Sequence, residues 1–150
     1  MPQTPATDQH MKNLELYLLR FGAIQTLAMA VYHFFLPMQF GWAEYVPESA
    51  PTIGWALFAL NAYFSFNLLV MGGFFAYFVF TKPKGNKRVL TFAMMVLLFW
   101  LFSFAYQLIR PMPLPENLNW LSYLLPGLAL ANAMIIGVPT IRIMMRKRQG

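Results

Sequence analysis

Few residues of this 150-residue chain could do chemistry, and they stand apart from one another. There is no cysteine, which removes disulfides, thiolate metal sites, iron–sulfur clusters and thiol nucleophiles together. The two histidines, His10 and His33, are far apart with no carboxylate cluster beside either, too few converging donors for a metal. A b-type haem held by histidines needs two on facing helices. Only His33 falls inside an apolar run, so no cofactor is expected. Hydrolase-elbow, zinc-protease and phosphate-loop motifs are absent. The apolar runs also hold no carboxylate pair of the kind a proton-driven transporter uses.

What remains is a thin set of polar side chains within apolar surroundings: His33, Asn61, Ser103, Tyr106, Gln107 and Asn132, with Arg110 just beyond a run. Asn61, Ser65 and Gly72 share one helical face, as do Ser103 and Gln107. Two readings fit. Hydrogen bonds between membrane helices contribute about 0.6–2 kcal/mol, reason enough to keep such residues as interhelical contacts. Alternatively His33, Asn61, Ser103, Tyr106, Gln107 and Arg110 form a polar pocket that takes a small molecule or a quinone headgroup. For the set as a whole, interhelical bonding is the expected reading; for His33 the two are balanced.

The elements that must position these residues follow from composition. The chain is 59% hydrophobic and 11% charged, with a mean hydropathy of +0.51. Too little charge is present to cover a soluble domain. The apolar residues fall in four runs, about 14–36, 53–80, 89–109 and 120–142, each long enough to cross a bilayer as a helix. The expected fold is therefore an all-α integral membrane bundle of four antiparallel, up-down helices. Residues 1–13 read as a disordered tail and 143–150 as a basic tail. Ala28-Met29-Ala30 has the form of a signal-peptide cleavage site, but the apolar run continues beyond it, so an uncleaved span is expected.

The connections are distinct. Residues 37–52 hold three prolines and two glutamates and read as a loop with an interfacial turn at Phe40-Gly41-Trp42. TKPKGNKR, residues 81–88, is a tight basic turn, and prolines 111, 113 and 115 keep the third connection extended. Gly72-Gly73 permits a bend in the second span without requiring one. Pro126 and Pro139 sit inside the fourth, where neighbours can re-satisfy freed carbonyls. In that span Ala129, Ala133 and Gly137 recur at every fourth position. This is a small-residue face, with Asn132 beside it, suited to close packing against the first span or another subunit.

Orientation follows from charge. Of the 11 lysines and arginines, only Arg110 falls on the side that holds Glu44, Glu48 and Glu116. The positive-inside rule then puts both termini in the cytoplasm. Trp42, Trp55 and Trp120, with Tyr45 and Tyr123, fall at the opposite interface as an aromatic belt. Trp100, well inside the third span, does not. The cations flank spans instead of forming a separate patch, so they read as topology signals and lipid contacts, with no nucleic acid implied.

The stretch LLRFGAIQTLAMAVYHFFLPMQFGWAEYVP, residues 18–47, with Asn61, Gly72-Gly73, Phe99-Trp100 and Gln107, resembles a group of small, uncharacterised bacterial four-span membrane proteins. That group implies a basic residue one turn after the Phe-Trp pair, where this chain has Ser103 or Phe104. The early Leu19-Arg20 and the His33-Phe34 near the end of the first span are also similar to the DoxX-like superfamily. That likeness implies an association with membrane redox metabolism. The expected function is an accessory or partner subunit in the bacterial inner membrane, without catalysis of its own; the alternative is a small-molecule or quinone-binding protein using the polar pocket in the outer half of the bundle. Its partners are the bilayer and either other membrane subunits or further copies of itself. A reporter fused after Gln149 should be active in the cytoplasm and one inserted within residues 111–117 should be active outside. A C-terminus on the far side would contradict the assignment.

Overall fold

The computed structural model describes residues 5–111 and 120–149. Prolines 113 and 115, Glu116 and the first four residues, about which the sequence raised expectations, lie outside the described residues. The elements are α1 (Pro5–Gln39), α2 (Trp42–Tyr45), α3 (Pro51–Thr81), α4 (Lys87–Ile109) and α5 (Leu121–Gln149). Four of them, α1 and α3–α5, contain stretches long and apolar enough to cross a membrane. No strand occurs among the described residues. The chain is an all-α, multi-pass membrane protein. Lipid dictates this outcome, because it offers the backbone no hydrogen bonds and a helix satisfies its own.

Each long helix packs on two others, in the closed order α1–α3–α4–α5–α1. Contacts at the two ends establish the antiparallel course. Glu15 near the start of α1 meets Lys84 of the α3–α4 turn and Arg146 late in α5. At the opposite end, His33 late in α1 meets Asn61 early in α3.

Helix limits depart from the sequence reading where the chain leaves the apolar runs. The residues read as a disordered tail are helical from Pro5 onward; proline is suited to a first helical position, where its missing N–H has no intrahelical role. Pro37, read as the start of a loop, lies inside α1, which continues to Gln39. Gly41, at φ +56°, then turns the chain into the short α2, a conformation that glycine adopts without strain. The basic tail likewise continues α5 to Gln149. α3 runs unbroken through Gly72-Gly73. Asn86 caps α4, its side chain accepting from the Arg88 N–H at 2.9 Å.

Two close helix approaches mark the half nearer Glu15. A Cβ on Gly137 would lie 2.9 Å from Leu97 of α4, and one on Gly22 would lie 2.5 Å from Ile136 of α5. Ala129, Ala133 and Gly137 are buried, and at Gly137 their face meets α4, whereas the sequence had offered α1 or another subunit. Outward faces carry Leu60, Phe102 and Ile109, all strongly exposed apolar residues that suit lipid contact.

Glu15 is almost wholly buried, yet it carries two ion pairs. Its Oε2 lies 2.9 Å from Lys84 Nζ and its Oε1 accepts from Arg146 Nη2. Both cations keep some access to solvent, while the carboxylate does not. Removing the cations should therefore harm the protein more than removing the acid, since it strands a buried charge. The Lys84→Met/Arg146→Met double variant should lose about 2–3 kcal/mol, discounted for the cations' exposure, and Glu15→Gln less. Thermal unfolding in mild detergent reads the order; a larger loss in Glu15→Gln would contradict it.

Candidate functional site

At the end away from Glu15 the four long helices enclose a cavity of about 670 Å³. Each wall is one helical stripe. Gln25, Met29, His33 and Leu36 recur along α1, Trp100, Ser103 and Gln107 along α4, and Leu121, Leu125, Leu128 and Asn132 along α5. α3 contributes Phe64. From Gln25 to His33 the stripe covers about 12 Å of helix.

One wall is aromatic. Ring centroids step from His33 to Phe64 at 5.0 Å, to Phe99 at 5.6 Å and to Trp100 at 5.3 Å. Trp100 is nearly buried and its indole N–H donates to Thr26 Oγ1 at 3.3 Å. That bond accounts for a tryptophan so far from the interface belt, since a buried indole needs an acceptor. Trp55 and Trp120, by contrast, are exposed near the starts of α3 and α5.

Of the six residues the sequence offered for a pocket, His33, Ser103, Tyr106, Gln107 and Arg110 line this cavity. Ser103 and Gln107 bond each other, the amide donating at 2.9 Å. Asn61 is not part of the lining. Its Nδ2 donates to the His33 carbonyl at 2.9 Å, across to α1. The reason lies in Pro37. A residue at that position would normally donate its N–H to the carbonyl four residues earlier, which is His33; proline has none. Asn61 thus satisfies the backbone acceptor that Pro37 leaves open, in surroundings where an unmet carbonyl is costly.

Two residues assigned by sequence to packing also line the cavity, Ala129 and Asn132. Gln25, Tyr32 and Met29, also on the lining, were not among the residues the sequence offered for a pocket. Their signal was the spacing to His33, which places Gln25 and Met29 on its stripe two turns and one turn earlier. Gln25 Oε1, Gln107 Oε1 and Asn132 Oδ1 are buried without a hydrogen-bond partner among the described residues. Nor do three His, Asp or Glu side chains converge among those residues to hold a metal.

Neither known protein families, nor curated proteins, nor solved structures give a match to this chain.

The Pro37–His33–Asn61 arrangement makes a coupled prediction. Asn61→Leu should cost about 1–2 kcal/mol by stranding the carbonyl. In a Pro37→Ala background the restored N–H can meet that carbonyl, so the cost of Asn61→Leu should fall. Thermal unfolding of the four proteins gives the coupling; equal losses in both backgrounds would refute it.

Proposed function

We propose that this protein holds a small, largely apolar molecule in the cavity between its helices, without catalysing a reaction on it. The observation that carries the reading is a cavity of about 670 Å³ with buried, unpartnered polar atoms on its lining residues. Its volume falls within the roughly 300–1,000 Å³ of small-molecule sites, and mostly apolar walls with a few polar atoms are the usual composition of such sites. Interhelical bonding explains Asn61, but among the described residues it leaves Gln25, Gln107 and Asn132 each with an unmet oxygen.

The setting we propose is the bacterial inner membrane, with both termini cytoplasmic. The charge distribution supports this orientation, since the positive-inside rule assigns the lysine- and arginine-rich end to the cytoplasm. The cavity then opens in the outer half of the membrane. Holding a lipid-soluble molecule is also a task for an accessory subunit that has no chemistry of its own. Membership of a larger membrane complex is therefore the wider context of the same proposal.

Protein purified in mild detergent should release a stoichiometric small molecule into organic solvent, detected by mass spectrometry. Leu125→Trp adds bulk to the lining and should abolish that release while the protein still elutes as the wild type does. Undiminished ligand in a well-folded Leu125→Trp protein would refute the site.

A further inference from the structure

Arg20 is a cation in a membrane-spanning helix that meets no anion among the described residues. It lies about 10 Å inside the apolar stretch Asn13–Gln39 of α1. Its guanidinium carbon stands 5.1 Å from the centre of the Phe80 ring of α3. Its Nε is sealed in and has no hydrogen-bond partner among the described residues. The two Nη groups are neither sealed in this way nor bonded to a described residue, so the half-buried side chain still presents donors at its tip. Lys84 and Arg146 differ, because both meet Glu15. A cation inside a span is costly without a partner. Stacking on Phe80 offsets part of that cost but leaves the N–H donors unmet.

Depth and direction decide what can reach that tip. Phe80 is one residue from the end of α3 at Thr81, and the basic turn with Lys82 and Lys84 follows at once. The guanidinium therefore sits within about one turn of the boundary at the Glu15 end, the level of lipid headgroups. Tyr17, Phe21 and Ile24 share its side of α1 and are exposed, as are Tyr77 and Phe80 of α3. Two turns inward from Phe80, on the same side of α3, a Cβ on Gly73 would touch nothing within 4 Å. Neither Arg20 nor Phe80 lines the cavity between the helices. This side of the α1–α3 pair faces lipid.

We propose that Arg20 holds the phosphate of one anionic phospholipid from the leaflet at the Glu15 end, with an acyl chain lying along the exposed α1–α3 surface towards Gly73. A guanidinium is suited to a phosphate because it can make two parallel N–H···O bonds, here from its Nη groups. Net negative charge is selected by the surroundings. All but one of the 11 lysines and arginines gather at this end, and the buried Glu15 is already taken by two of them. A zwitterionic headgroup would bring a further cation to that positive end and gain less. Free phosphate lacks the acyl chain that the apolar surface would hold.

The test is native mass spectrometry of the full-length protein, stripped of lipid in mild detergent. It is titrated with dioleoylphosphatidylglycerol or with dioleoylphosphatidylcholine, which has the same chains. Wild type should bind one phosphatidylglycerol at least about tenfold more tightly than it binds further copies or the phosphatidylcholine. Arg20→Gln should abolish that first, tight binding. Arg148→Gln removes the same charge from the exposed end of α5 and should leave it intact. Phe80→Leu keeps the cation but removes the ring beneath it, and should weaken the first lipid as well; it guards against a folding defect in Arg20→Gln. Equal binding of the two lipids would overturn the assignment. So would a first lipid lost alike in Arg20→Gln and Arg148→Gln, or one untouched in both Arg20→Gln and Phe80→Leu.

Discussion

A buried carboxylate ties three segments of this bundle together at one end. Glu15 of α1 is held by Lys84 from the α3–α4 turn and by Arg146 of α5, partners 69 and 131 residues away in sequence. Such a charge is tolerated in low dielectric only because both of its oxygens are met by cations. Helices also approach closely in this half: a Cβ on Gly22 would lie 2.5 Å from Ile136 and one on Gly137 would lie 2.9 Å from Leu97, while at the other end Gly54 approaches Val46 of the connecting segment as closely. Between membrane helices, where burial of apolar surface gives little drive, close packing of this kind is a main source of adhesion. With one half so fastened, the other half can enclose a cavity without the helices parting.

Polar groups in that second half have divided tasks. Asn61 repairs the backbone where Pro37 removes a donor, and Thr26 joins α1 to Trp100 of α4. Both are structural, and both have their bonding capacity directed at the protein. Gln25, Gln107 and Asn132, all on the cavity lining, differ because each leaves a buried oxygen unmet among the described residues.

The four spans were legible because lipid demands long apolar runs, and the positions of those runs agree with the helices that can cross a membrane. Their ends were less so. Outside the apolar region nothing in the pattern stops a helix, so α1 begins at Pro5 and α5 continues through its basic residues. Helix rotation was hidden more deeply. When lipid-facing and core-facing sides are both apolar, no amphipathic stripe marks the inner face. Hence Asn61 could be grouped with His33 by depth, but not assigned to its carbonyl. Nothing in the local sequence singles out Glu15, since its partners come from distant parts of the chain.

In the proposed orientation the bundle is closed at the Glu15 end and open to the outside at the other. Because the chain has no cysteine, a single one introduced at Ser103 or at Ala93 reports on its own position. Ser103 lines the cavity, whereas Ala93 is fully buried on the same helix nearer the closed end. With a membrane-impermeant thiol reagent, Ser103→Cys should label in right-side-out vesicles, and Ala93→Cys should not label from either side. A Ser103→Cys protein that is unreactive from outside, or reactive only in inverted vesicles, would contradict the claim.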